Sequence, residues 1–114
     1  MRTPLEETRT ALTHRVIIEK QKIYITVGLY ANGRPGEIFI KLDQEEGGLS
    51  SMLKCWAIAV SLLLQHGEYN AVIRKFSKQR FPPWGMTDNK EIPMCTSIPD
   101  YIVAWMTQQW GEPV

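Results

Sequence analysis

Hydrophobic and polar residues alternate between residues 14 and 42 with a period of two, as they do in half-buried strands. Three runs carry this alternation and are rich in β-branched residues: Val16 and Ile18; Ile23, Ile25, Val27 and Leu29; Ile38, Ile40 and Leu42. Residues 19–22 form a short polar break, and residues 31–36 contain Asn-Gly, which accepts positive φ at low cost. The pattern therefore predicts a three-stranded antiparallel meander.

The opposite face of this predicted sheet is less polar than an exposed face usually is. It would carry Ile17, Tyr24, Thr26, Tyr30, Phe39 and Lys41. Two interpretations stay open at this point. Either a partner subunit, the N-terminal segment or a ligand covers this face, or its aromatic residues are scattered surface side chains.

After residue 48 the period becomes helical. Residues 49–66 are apolar over most of the helical circumference, which predicts a central helix with this inner stripe: Met52, Leu53, Trp56, Ala57, Val60, Leu63 and Leu64. Residues 68–79 predict a second helix, which ends before Pro82. Ser97 can cap a third helix, with Pro99 in its first turn. The predicted fold class is α+β: a three-stranded antiparallel β-meander followed by two to three packed helices.

The length of 114 residues corresponds to one domain. Residues 1–13 show no clean period and are predicted to form a flexible N-terminal arm. Residues 14–114 are predicted to form a single α+β domain. Residues 80–96 read as a long irregular loop, a kind of segment that often carries function.

The composition narrows the expected partners and compartment. The net charge of +1 gives no reason to expect DNA or RNA as a partner, and no apolar run is long enough to predict a membrane span. No apolar segment follows a basic start, so the expected location is the cytoplasm, or the host cell cytoplasm if a phage encodes the protein. Two distant cysteines, Cys55 and Cys95, predict neither a zinc site nor a disulfide framework.

No catalytic constellation stands out in the sequence, so we expect a binding protein with no enzymatic activity, no metal and no cofactor. The chain has two histidines, and His66 lies where the first helix is predicted to end. Asp43, Glu45 and Glu46 are typical of a solvated loop. Gly47-Gly48 precedes a helix without continuing into a phosphate-binding loop.

The segment between residues 74 and 89 has the composition expected of a nucleotide site. Cations bind phosphates, aromatic rings stack on bases, and asparagine can read a base edge. The predicted ligand-binding residues are Arg34, Arg80, Phe81, Trp84, Thr87 and Asn89. Arg34 is included because a Gly-Arg-Pro-Gly turn would hold it at a rigid corner. The alternative is a helix with a basic outer face followed by a loop pinned by buried aromatics.

Several segments of the chain resemble one known family. The pieces are HRVIIE, NGRPGEIFI, SLLLQHG, IRKFSKQRFPPWGMTDN and SIPDYIVAW, and their order and spacing resemble the TSCPD domain over residues 14–105. That domain is found at the C-terminal end of vitamin B12-dependent ribonucleotide reductases and in stand-alone proteins, many of them phage-encoded. The reductase barrel and the Cys-rich tail are missing here, so the resemblance implies the fold more firmly than any activity.

A second, weaker similarity is to the phage Thoeris anti-defence sponges, which are small oligomers that bind a nucleotide signal without cleaving it. It favours the hypothesis of a sponge that sequesters a cyclic nucleotide or cyclic ADP-ribose immune signal, acting as a homo-oligomer, dimer or higher. Two alternatives stay open: an accessory or regulatory domain partner of a ribonucleotide reductase, and a structural interaction protein.

Overall fold

The computed structural model describes residues 1–43 and 47–114; residues 44–46, which belong to the predicted acidic loop, lie outside the described residues. Its strands and helices are β1 (Ala11–Ile18), β2 (Gln21–Leu29), β3 (Pro35–Leu42), α1 (Gly48–Gln65), α2 (Tyr69–Phe76), β4 (Gly85–Met86), β5 (Met94–Cys95) and α3 (Ile98–Trp110). The predicted α+β fold, a three-stranded antiparallel sheet followed by three helices, is confirmed.

The sheet has the order β1-β2-β3 with antiparallel pairing throughout. Its register places Val16 opposite Ile23 and Ile25 opposite Ile40, so the β-branched residues share one face. Glu19 and Lys20 alone form the first turn, with φ of 46° and 77°, which is the positive-φ geometry of a tight two-residue hairpin. The sheet face of the core is made by these buried side chains: Val16, Ile18, Ile23, Ile25, Val27, Ile38, Ile40 and Leu42.

Helix α1 packs against β3, and two of its polar side chains bond to backbone groups of that strand. The Ile38 amide donates to Ser61 Oγ at 2.9 Å, and the Gln65 amide nitrogen donates to the Gly36 carbonyl at 2.9 Å. An uncovered edge strand would offer these groups to another chain. The two polar side chains of α1 therefore satisfy part of this edge and fix which side of the helix faces the sheet.

The start of α3 matches the sequence prediction. Ser97 is its N-cap, and its Oγ accepts a hydrogen bond from the Asp100 amide at 3.1 Å. The buried Asp100 carboxylate accepts from the amides of Lys78 at 2.7 Å and Thr96 at 2.9 Å. Asp100 therefore connects the end of α2 to the start of α3, a role that the sequence did not indicate.

The structure differs from the prediction at the N-terminus. β1 begins at Ala11, inside the segment assigned to the arm, and the Thr3 amide donates to the Gln65 carbonyl at 2.8 Å. Arg9 also forms an ion pair with Glu37, with 2.5 Å between Nε and Oε2. Part of the arm is thus built onto the domain, while the flexibility of its other residues stays a prediction.

The long loop predicted before α3 is more ordered than expected. β4 and β5 form a small hairpin, and an isolated bridge pairs Thr87 with Ile18 at the end of β1. Helix α2 is shorter than predicted and stops at Phe76, since Lys78 adopts a φ of 67°. The hairpin was missed because its strands contain only two residues each, too few for a visible alternation.

Among the described residues, α1 is the one helix that passes a length and composition test for a membrane span. Soluble core helices pass the same test, and α1 packs against β3 here. However, only 33% of it is buried. On the outer face of the sheet, Phe39 is exposed, and the core lies on the opposite face.

We expect Asp100→Ala to destabilise the protein by about 2–4 kcal/mol, because two backbone amides lose a charged acceptor in a buried position. Asp100→Asn keeps one acceptor and should cost less. Gln108→Ala, at an exposed position of the same helix, should change the unfolding free energy by less than about 0.5 kcal/mol. Urea unfolding measures all three, and equal stabilities for Asp100→Ala and Gln108→Ala would contradict the assigned role.

Candidate functional site

The predicted ligand-binding residues do not converge within one protomer. Arg34 lines a cavity of about 640 Å³ beside Gln65, at the C-terminal end of α1. Phe81 lines a different cavity of about 320 Å³ beside Leu49, at the N-terminal end of α1. Because α1 has 18 residues, its ends lie about 25 Å apart. Arg34 and Phe81 therefore cannot hold one small ligand in the same protomer.

Arg34 is engaged with the C-terminus of α3. Its Nη1 donates to the Trp110 carbonyl at 3.0 Å, and its guanidinium lies 4.8 Å from the centre of the Tyr69 ring. The Trp110 indole donates in return to the Gly33 carbonyl at 2.9 Å. A cation at a helix C-terminus is favoured by the helix dipole. These contacts attach the β2–β3 turn to α3.

Thr87 and Asn89 also make contacts within the protein. The Thr87 amide donates to the Pro93 carbonyl at 2.9 Å and closes the β4–β5 hairpin. Asn89 Oδ1 accepts from the Glu91 amide at 3.0 Å, and Nδ2 donates to the Tyr101 hydroxyl at 2.9 Å. Both ends of the Asn89 amide thus have partners in the fold.

Tyr101 is the centre of a polar network that sequence reasoning missed. It is fully buried, and its hydroxyl lies 2.7 Å from His14 Nε2. Because the hydroxyl accepts from Asn89, its own proton is available to His14 Nε2, which fits a neutral ring. The His14 ring also stacks on Trp105 with 5.0 Å between centroids. The sequence did contain a signal for this network. His14 lies two residues before Val16 in the same strand, so its side chain is expected on the inner face of the sheet.

Burial sets the direction of the pKa shifts in this network. Desolvation lowers the pKa of His14, with a raising contribution from Asp88 and a lowering one from Arg15. Burial raises the pKa of Tyr101, while the hydrogen bond from Asn89 lowers it. The network is therefore favoured in its uncharged form.

Arg80 and Trp84, two of the predicted residues, contribute to an exposed surface that we call the hairpin patch: Arg80, Trp84, Met86 and Met94. The Arg80 guanidinium lies 5.3 Å from the centre of the Trp84 ring. Met86 and Met94 are opposite each other in the β4–β5 register, and their exposed fractions are 59% and 63%. Paired residues project from the same face of a hairpin, so the two methionines form one apolar surface.

The backbone below the hairpin patch is held firmly. The Glu19 amide donates to the Met86 carbonyl at 3.1 Å, and the Met86 amide donates to Glu19 Oε2 at 2.9 Å. The Asp88 amide donates to the Ile17 carbonyl at 3.1 Å. The patch thus presents large apolar side chains on a fixed backbone, which lowers the entropy lost on binding a partner.

The second exposed apolar surface is the outer side of α1. Met52 and Leu63 were predicted in the inner stripe, but both are exposed, Met52 by 68%. Because Ser61 and Gln65 face β3, residues on the other side of the helix point to solvent. Five of these recur at spacings of three and four, and we call them the α1 seam: Met52, Cys55, Ala59, Leu62 and His66. The sequence indicated that some apolar residues of α1 would be exposed, since this helix is apolar over most of its circumference.

The cavity at the N-terminal end of α1 is lined by aromatic rings. Trp56 and Phe76 meet edge to face with 5.3 Å between centroids, and Phe81 lies beside them. Among the described residues, the Trp56 indole nitrogen is the one buried side-chain polar atom without a hydrogen-bond partner. That nitrogen has no surface exposed to the cavity, so it offers no donor to a ligand there.

No group of three or more potential metal ligands occurs within residues 1–43 and 47–114. Cys55 is exposed, whereas Cys95 is buried and its pKa is raised, chiefly by that burial.

The family match and the similar proteins point to the same domain family. The TSCPD domain family matches residues 2–109. The vitamin B12-dependent ribonucleotide reductase of Rhodopirellula baltica is 39% identical over 106 residues, which cover 92% of this chain and 10% of that protein. The reductase of Bradyrhizobium diazoefficiens is 37% identical over 103 residues, which cover 89% of this chain and 8% of that protein. The reductase of Streptomyces coelicolor is 34% identical over 103 residues, which cover 90% of this chain and 11% of that protein.

The chain therefore spans about a tenth of the length of these relatives. No solved structure matches it.

The lowered pKa of His14 predicts that stability falls in acid. The unfolded chain takes up a proton near the ordinary histidine pKa of 6.5, whereas the folded ring takes one up only at lower pH, so the unfolding free energy decreases as the pH drops below that value. His14→Phe keeps a ring against Trp105 and should reduce this loss, measured by urea unfolding at about pH 7.5 and about pH 5.5. The exposed His66→Gln serves as control, and an unchanged loss in His14→Phe would contradict the prediction.

Proposed function

Since this chain belongs to the TSCPD domain family, we propose that it acts as an accessory domain of a vitamin B12-dependent ribonucleotide reductase and does not itself carry out the reduction. The observation that carries this proposal is the length relationship. Nearly the whole chain matches the Rhodopirellula baltica reductase, yet it corresponds to only 10% of that protein. The matched tenth of the reductase is therefore the part whose role we propose for this chain.

An accessory domain needs a surface for its larger partner, and we assign this role to the hairpin patch. Arginine, tryptophan and methionine are enriched at protein interfaces, and arginine and tryptophan often dominate their binding energy. The exposure of Met86 and Met94 leaves apolar area to bury, and the hydrogen bonds to Glu19 hold the backbone in place. The occupant that we propose is the reductase, because the relatives carry this domain within the reductase chain.

The relatives favour this accessory role over the sponge hypothesis. They are named as reductases, and none of those reported above is named as a sponge. The geometry does not separate the two hypotheses, because the sponge is expected to be a homo-oligomer and Arg34 and Phe81 lie at opposite ends of α1. A nucleotide site using both residues would require two copies of the chain. Nucleotide binding by the six predicted residues stays a prediction.

The test uses the Rhodopirellula baltica reductase with its own TSCPD region removed. We expect the full chain to bind this truncated reductase in size-exclusion chromatography and isothermal titration calorimetry. Met86→Glu should weaken binding at least about tenfold, which corresponds to about 1.4 kcal/mol. Phe39→Glu is a matched control, because it places the same charge at an exposed apolar position on the outer face of the sheet.

Each outcome bears on the proposal. Absence of binding to the truncated reductase would overturn the accessory role. Binding that is lost in Phe39→Glu and kept in Met86→Glu would overturn the assignment to the hairpin patch and place the contact on the sheet. Retention of a nucleotide by the chain alone, released intact on heating, would instead favour the sponge hypothesis.

A further inference from the structure

The direction in which α1 presents its residues is fixed by the sheet. Ser61 bonds to the Ile38 backbone and Gln65 to the Gly36 carbonyl, so the helix cannot rotate the α1 seam inward without losing both contacts. In the seam, Met52 is exposed by 68% and Leu62 by 46%. The protein thus holds an apolar stripe permanently towards solvent.

We propose that the α1 seam is a self-association surface, on which α1 pairs with α1 of a second copy in antiparallel orientation about a two-fold axis. This inference does not depend on the reductase assignment. The seam residues follow one another at alternating spacings of three and four, the repeat with which two helices interlock over several turns. A two-fold interface requires a surface complementary to itself, and the order of side-chain sizes in the seam provides one.

The sizes are symmetric about the middle of the seam. Large Met52 and Leu62 lie at the two ends of its apolar part, and small Cys55 and Ala59 lie between them. An antiparallel copy places Met52 opposite Leu62 of its partner and Cys55 opposite Ala59. The small central residues let the two helix backbones approach closely, while the large ones pack on either side of the crossing.

The charge and the area of the surface fit a weak dimer of identical copies. Lys54 is the one charged residue in α1, and it lies outside the seam. The large exposed apolar residues of the helix are Met52, Ile58, Leu62 and Leu63. Met52 and Leu62 belong to the seam, and Ile58 and Leu63 flank it on its two sides. A contact through one helix of each copy is smaller than the area of about 1,200 Å² or more that stable interfaces bury, so we expect a dimer that dissociates on dilution.

The first experiment measures the mass of the purified full chain by sedimentation velocity between about 1 µM and about 200 µM, the range in which such interfaces dissociate. We expect a shift from monomer to dimer with rising concentration. Ala59→Glu should keep the protein monomeric throughout, with unfolding in urea unchanged because the position is exposed. Gln108→Glu adds the same charge to an exposed position of α3 and should leave the dimer intact.

The second experiment tests the orientation by disulfide trapping. Wild type is mixed with the double variant C55S/A59C and mildly oxidised. Antiparallel pairing brings Cys55 of one copy next to position 59 of the other, so the mixed disulfide should exceed the homodimers formed by either protein alone. In the matched control, C55S/Q108C replaces the double variant and should give little mixed product.

A monomer at every concentration would overturn the proposal, as would a dimer that survives Ala59→Glu. Efficient cross-linking of wild type through Cys55 alone would overturn the antiparallel arrangement in favour of a parallel one. If the protein alone is monomeric and Ala59→Glu abolishes binding to the truncated reductase, the seam belongs to the reductase, and the accessory role stands while the self-association fails.

Discussion

The inner face of the sheet carries eight branched aliphatic side chains, and these can leave water only if helices cover them. Three strands give too narrow a sheet to close on itself, so α1 lies beside β3 and satisfies its edge while α3 covers the end near β1. Most other features follow from this arrangement. The Arg34 contacts hold the end of α3, Asp100 holds its beginning, and Tyr101 connects it to His14 of β1.

The small number of helices leaves apolar surfaces of the domain exposed, and this matters for its function. A small domain has too few helices to cover both faces of the sheet and also every side of its helices. α1 is therefore buried on one side and bare on the other, and the hairpin before α3 presents Trp84 and Met86 to solvent. Both surfaces lie on backbone that hydrogen bonds hold in place. An accessory domain that meets a larger protein and a copy of itself would use surfaces of this kind.

Ligand binding by the six predicted residues stays a prediction, and the structure shows which contacts these side chains make within the protein. Arg80 lies over the Trp84 ring, a contact that the sequence analysis did not predict. Arg34, Thr87 and Asn89 were predicted from residue type as ligand contacts, but each makes a hydrogen bond that holds the fold together. Residue type cannot distinguish these roles, because the same donor groups serve a phosphate, a carbonyl oxygen or a neighbouring side chain.

The meander, the helices and the cap of α3 could be predicted from the sequence, since local periodicity and turn chemistry encode them. The sequence also indicated that α1 is apolar on all sides. Only the tertiary structure decided which of those sides is buried, because Ser61 and Gln65 find their partners on a strand more than twenty residues away. Likewise, the pairing of Ile18 with Thr87, which attaches the segment after β4 to the end of β1, is a long-range contact that only the fold shows. Contacts between distant segments depend on how the whole chain folds, so they cannot be predicted from local sequence patterns.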